Sequence, residues 1–166
     1  MHRRCLSLFA ALALSACAAT PETVAGSPPE ARAYRTSDDA SADVDAALAR
    51  AAQSGKRVLL VMGADWCHDS RALAGWLATD RFSDLIEREY ELVFVDIGMP
   101  RGGDRPNLAI ARRFGIAELP GSPNVLVLTS DGVLANAESA TRWRDAASRT
   151  GDEIYEELAA LADQPA

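Results

Sequence analysis

Apolar residues along this chain recur in two rhythms. Val44, Leu48 and Ala51-Ala52 return at helical spacing from about Ser41 until Gly55, which predicts a helix over about 42–54 with the glycine as its stop. Arg57-Val-Leu-Leu-Val-Met62 is then a continuous apolar run between Lys56 and Gly63, the pattern of a strand covered on both faces. Helical spacing resumes over 67–79 through Leu73, Trp76 and Leu77, and Phe82, Leu85 and Ile86 carry it on to about Arg88. Leu92-Val-Phe-Val-Asp-Ile97 predicts a second buried strand. A Gly/Pro-rich stretch from Gly98 to Pro106 separates it from a short helix over 107–114, closed by Gly115. Val125–Leu128 predicts a third strand, Ser130-Asp131-Gly132 a turn, and Val133–Asn136 a return that pairs back as a hairpin. Ile154, Leu158 and Leu161 mark a last helix over about 151–163.

Strands alternating with helices predict an α/β sandwich of three layers. Its mixed sheet should have parallel central strands and a C-terminal antiparallel hairpin at one edge. A length of 166 residues suits one such domain, and 48% hydrophobic content suffices for a core. The unit is expected over 41–166.

The residues before it read differently. Met1–Cys5 is short and basic, Leu6–Leu14 is apolar, and Ser15-Ala16 are small, which together form a secretory signal over 1–16. Leu14-Ser15-Ala16-Cys17 resembles the bacterial lipobox, in which the cysteine is acylated and becomes the new N-terminus. An ordinary cleavable signal is the alternative, since an A-x-A-like site is also readable there. The lipobox resemblance implies a periplasm-facing protein held to the cell envelope by a lipid on Cys17. Ala18 and Ala19 after the cysteine favour the outer membrane. Residues 17–40, rich in Ala, Ser, Thr, Pro and acids, are expected to be a flexible tether with a reach of roughly 25 Å.

Charge and cysteine usage narrow the chemistry. The net charge is −7, and removal of Arg3 and Arg4 with the signal would make it −9, so nucleic acid is a poor partner. Three cysteines, at 5, 17 and 67, and two histidines, at 2 and 68, have no metal-ligand spacing, and no metal or cofactor is implied. With Cys5 removed and Cys17 acylated, Cys67 is the one free thiol and no internal disulfide can form.

Cys67 stands at the junction of the first buried strand with the following helix. Unpaired N–H groups and the positive end of the helix dipole favour a thiolate there, and the thiolate is the nucleophile of exchange chemistry. A protonated His68 would add to this. Asp65 and Asp69 complement the helix start but oppose a thiolate.

The segment Ala64-Asp-Trp-Cys-His-Asp-Ser70 resembles the thioredoxin active-site motif Trp-Cys-x-x-Cys with Ser70 in place of the second cysteine. The resemblance covers about 41–164. It includes the element order and Pro123, which directly precedes the third strand as the family's cis-proline does; Pro120 is a rival. The resemblance implies that Cys67 attacks a disulfide, that Trp66 flanks it, and that the backbone of Ser122 pairs with an extended substrate segment beside Pro123. The partners it implies are thiols and disulfides of proteins or small molecules. Two departures stand against a self-sufficient cycle. Ser70 cannot resolve a mixed disulfide, although its hydroxyl could hydrogen-bond the Cys67 thiolate. Val61 occupies the position of the family's buried acid, six residues before the nucleophile.

Plainer roles exist for each feature. A lone cysteine often serves as a small buried hydrophobe, His68 as a solvent-facing first-turn residue, and Trp76 and Trp143 as packing. The loop from Arg101 to Arg105 could meet an anion or be a solvated connection. The leading expectation is thiol–disulfide exchange by mixed-disulfide formation on Cys67. The alternatives are a redox-inactive binding or scaffold module using the groove beside Pro123, and peroxide or glutathione chemistry on the single thiol.

Overall fold

The computed structural model describes residues 27–35, 37–98 and 107–164. Helix α1 (Ala40–Ser54) begins where the Asp39 side chain accepts the Ala42 N–H at 2.9 Å. It stops at Gly55, whose φ of 75° suits a residue without a Cβ and whose N–H bonds back to Ala51 O. Strand β1 (Arg57–Gly63) follows, then α2 (His68–Leu77), α3 (Asp80–Glu89), β2 (Tyr90–Asp96), α4 (Leu108–Arg113), β3 (Asn124–Leu128) and α5 (Gly151–Asp163). A capping box starts α5: Thr150 Oγ1 accepts the Glu153 N–H while the Glu153 carboxylate accepts the Thr150 N–H.

The sheet order is β2-β1-β3, with β1 parallel to β2 and antiparallel to β3. Alternation along the strands divides the core into two layers. Leu59, Val61, Val125 and Val127 face α2, α3 and α5 together with Leu73, Phe82, Leu85, Trp143, Ile154 and Leu158. Val58, Leu60, Met62, Leu126 and Leu128 face α1 and α4, where Val44, Ala47, Ala51 and Ile110 meet them. The result is the three-layer α/β sandwich with a mixed sheet that the pattern predicts.

Four features differ from the sequence reading. The helical pattern through 67–88 is two helices. Thr79 leaves the helical region at ψ 153°, its hydroxyl donates to Trp76 O, and α3 restarts behind it. A break this short preserves the apolar face, so periodicity passes over it. Strand β2 is an edge rather than a fully buried strand, and Leu92, Val93 and Phe94 are only partly covered. The return at 133–136 contributes a single bridge, Leu128 to Leu134. It pairs back through the Thr129 N–H on Val133 O and the Ala135 N–H on Val127 O, each at 2.8 Å. Beyond them the buried Asn136 side chain takes over, accepting the Val127 N–H and donating to Val125 O, each at 2.9 Å.

The fourth difference lies in the expected tether, because residues 27–35 pack against the domain as a strap. Tyr34 is 4% exposed and joins the α2 side of the core, its ring edge-on to Phe94 at 5.2 Å. The Ala31 N–H bonds to Arg71 O at 3.0 Å. Two glycines admit the strap. A Cβ on Gly63 would strike the Tyr34 ring, and one on Gly75 would strike the backbone of Pro29. Gly75 costs α2 some helix propensity and permits this close approach. The expected signal peptide, Cys17 and the loop from Arg101 to Arg105 lie outside the described residues.

Tyr34→Ala should therefore destabilise the domain by about 3 kcal/mol, as loss of a buried aromatic does, and Tyr34→Phe by about 1 kcal/mol for the hydroxyl alone. Arg32→Ala, exposed on the same strap, should stay within about 0.5 kcal/mol. Urea unfolding of the three variants checks this, and a neutral Tyr34→Ala would return the strap to linker status.

Candidate functional site

Cys67 is the N-cap of α2, in extended conformation at φ −85° and ψ 126°, and is half-buried. Its own N–H closes a turn onto Ala64 O at 3.0 Å, and its carbonyl accepts the Arg71 N–H as the first bond of the helix. The thiol donates to Ser122 O at 3.2 Å, across 55 positions of sequence. The Ser122-Pro123 peptide bond is cis, as the resemblance implies, and Pro120 is not its equal in this respect.

Ser70 lies one turn into α2 and is fully buried. Its hydroxyl contacts the Ser122 hydroxyl at 2.6 Å and accepts the Ala64 N–H at 3.3 Å. This corrects the expected contact with the Cys67 thiolate: Ser70 holds the loop before β3 to the first turn of α2. Sequence spacing alone puts Ser70 beside Cys67 on the helix, whereas the close packing of the Ser122 loop supplies a better partner.

Trp66 directly precedes Cys67 in the chain and is 42% exposed, with its indole N–H donated to Gly98 O at 2.6 Å. The ring is thus pinned between the β1 and β2 ends of the site. His68 is exposed and pairs with Glu30 of the strap, Nε2 to Oε1 at 3.1 Å. It faces a carboxylate, where the sequence reading offers it as a partner for the thiolate. Asp65 and Asp69 have structural partners too. Asp65 Oδ1 accepts the Tyr34 N–H at 3.2 Å, and Asp69 Oδ1 accepts the Ala147 N–H at 2.9 Å. Val61, at the family's acid position, is wholly inside the apolar core. Among the described residues no group of three His, Cys, Asp or Glu side chains is placed to hold a metal ion, and no helix is long and apolar enough to cross a membrane.

Sequence reasoning passes over Tyr34, Glu30 and Arg71, which together brace the loop. The Tyr34 hydroxyl donates to Ser70 O at 3.3 Å, and burial pushes its phenol far above the ordinary range, so it stays a proton donor. Arg71 bonds Glu30 at 2.9 Å and Asp65 O at 3.0 Å. A single tyrosine in an otherwise polar stretch was the available signal. Trp143, read as packing, is buried, and Trp76 packs partly covered against the same core.

A cis-proline after the bend at Gly121-Ser122, an exposed tryptophan and a cysteine at a helix N-cap thus meet at one end of the sheet. Residues 39–130 match the family described as thioredoxin-like. The chain belongs to the thioredoxin-like family. It is also similar to a crystal structure titled as a disulphide isomerase from Xylella fastidiosa Temecula1, with a TM-score of 0.71 and 30% identity over 80% of this chain and 98% of that one. No curated protein sequence matches the chain. The thioredoxin-like fold is consistent with thiol–disulfide chemistry, and this chain has Ser70 where a Cys-x-x-Cys pair would need its second thiol.

Two predictions follow from the bracing. Ser70→Ala leaves the Ser122 hydroxyl and the Ala64 N–H without their buried partner and should cost about 1–3 kcal/mol, measured by urea unfolding. The hydrogen bond from Arg71 holds the Glu30 carboxyl below its ordinary value of 4.5. A lowered folded value means that the contact contributes fully above the unfolded value and is lost as pH falls through the folded one. Exchange of the Ala31 amide, relative to its intrinsic rate, should accelerate on acidification below about 4.5, and this response should vanish in Glu30→Gln.

Proposed function

We propose that this protein performs thiol–disulfide exchange through Cys67 alone. The observation that carries the reading is the half-exposed Cys67 thiol at the α2 N-cap, directed at the carbonyl of Ser122 beside cis-Pro123. An extended substrate segment whose N–H takes that carbonyl would displace the thiol's hydrogen bond and bring its disulfide to Sγ. The Cys67 thiolate then attacks one sulfur of the substrate. A Cys67–substrate disulfide forms, the substrate S–S bond breaks, and the other sulfur leaves as a thiolate. Ser70 has no sulfur to resolve this bond, so an external thiol must attack it and carry away the substrate half. Trp66 shields one side of the thiol, and Ser122 with Pro123 forms the docking edge.

On this reading the protein works in the cell envelope, facing the periplasm and held by a lipid on Cys17, with the outer membrane favoured. The lipobox resemblance of Leu14–Cys17 supports the location, and mass spectrometry of the mature N-terminus tests it. An unacylated N-terminus beyond Cys17 refutes the anchor.

A second reading, a redox-inactive binding module using the same edge, draws on the Ser70–Ser122 contact, which occupies the place of the second thiol. The two separate in one assay. With a chromogenic aromatic disulfide, the full chain should release one equivalent of reporter thiol beyond what Cys67→Ser releases, then stop until an external thiol is added. Identical release by wild type and Cys67→Ser would sink exchange and leave the binding module.

A further inference from the structure

Among the described residues, arginines at 50, 71, 81, 113 and 149 each pair with a carboxylate. Arg144 does not. It is exposed, and its guanidinium has no hydrogen bond or ion pair among the described residues. Its position is nevertheless defined, because its aliphatic stem lies on the backbone of Gly121: a Cβ there would collide with Arg144 Cδ and would lie 3.2 Å from Cγ. Gly121 directly precedes Ser122, whose carbonyl meets the Cys67 thiol, and the buried Asn124 amide donates to Gly121 O at 2.8 Å. The segment bearing Arg144 is itself tied to α2, through the Ala147 N–H on Asp69. An unneutralised cation therefore stands at the edge of the docking groove in a chain of net charge −7.

We infer that Arg144 is a specificity-determining residue that selects extended peptide substrates carrying a carboxylate beside the reacting disulfide. This rests on the exchange reading of Cys67. A carboxylate arriving along the Ser122 edge meets a charge that no internal acid has to release, and the glycine at 121 gives the guanidinium its low path over the backbone. An exposed ion pair of this kind gives a rate or affinity preference of about threefold, weakened by salt.

The test uses three short extended peptides that differ only in the residue next to a single cysteine, Glu, Gln or Lys, each activated as a 2-thiopyridyl mixed disulfide. Attack by Cys67 forms the Cys67–peptide disulfide and releases the chromophoric thiopyridine, and the phase missing in Cys67→Ser gives the second-order rate. The Glu peptide should react about threefold faster than the Gln peptide, and the Lys peptide slower still. Arg144→Gln should abolish the order, Arg144→Glu should invert it, and Arg144→Lys should keep it. Equal rates in wild type, or an order that survives Arg144→Gln, would overturn the inference while leaving exchange intact. If none of the peptides reacts at Cys67, the exchange reading fails. Binding of the unactivated, S-methylated peptides to full-length Cys67→Ser then decides Arg144 separately: tighter binding of the Glu peptide supports it, and equal binding overturns it.

Discussion

Ser70 and Ser122 are both buried, and neither hydroxyl would be tolerated there without a partner. Their 2.6 Å contact satisfies both and joins the first turn of α2 to the loop that enters β3. Because Cys67 caps the same turn, that contact also sets where the thiol meets the Ser122 carbonyl. In the motif this segment resembles, the same position holds a second sulfur. Here a fixed hydrogen bond keeps the geometry of the site while removing the internal means of resolving a disulfide.

The strap at 27–35 bears on the same loop from the other side. Tyr34 fills the space that Gly63 leaves open and reaches Ser70 O, while Glu30 and Arg71 tie the strap to the outer face of α2. Ordering nine residues costs conformational entropy, and the compensation comes from one buried aromatic, the Ala31 and Tyr34 N–H bonds and the Glu30–Arg71 pair rather than from an apolar face. Such a segment has no periodicity, and its polar composition is that of a linker. Asp65, whose carboxylate receives the Tyr34 N–H, thereby serves the strap's attachment.

What was legible in the chain follows the range of the interaction. Gly55 and Gly115 mark helix ends because a left-handed backbone selects glycine locally, with φ of 75° and 87°. The five apolar residues of β1, Val58–Met62, are legible because both faces of a central strand must be covered. Cys67 at a helix start and Pro123 before β3 were readable from their neighbours and from the family motif. The break at Thr79 was not, since two interrupted residues leave the apolar face of α2 and α3 in phase. Nor was the shortness of the C-terminal hairpin, a single bridge beyond which the Asn136 side chain takes the β3 backbone groups.

By itself, then, the sequence determined the layered α/β sandwich, the strand–helix junction that carries Cys67, and the lack of a second thiol at position 70. These depend on periodicity, on local backbone preference and on residue identity. Only the tertiary structure decided that Ser70 bonds Ser122, that His68 turns to Glu30, that Tyr34 belongs to the core and that Arg144 lies against Gly121. Those pairings join residues 30 to 70 positions apart or lie between loops, where the closing partner is chosen by three-dimensional packing and leaves no period in the chain.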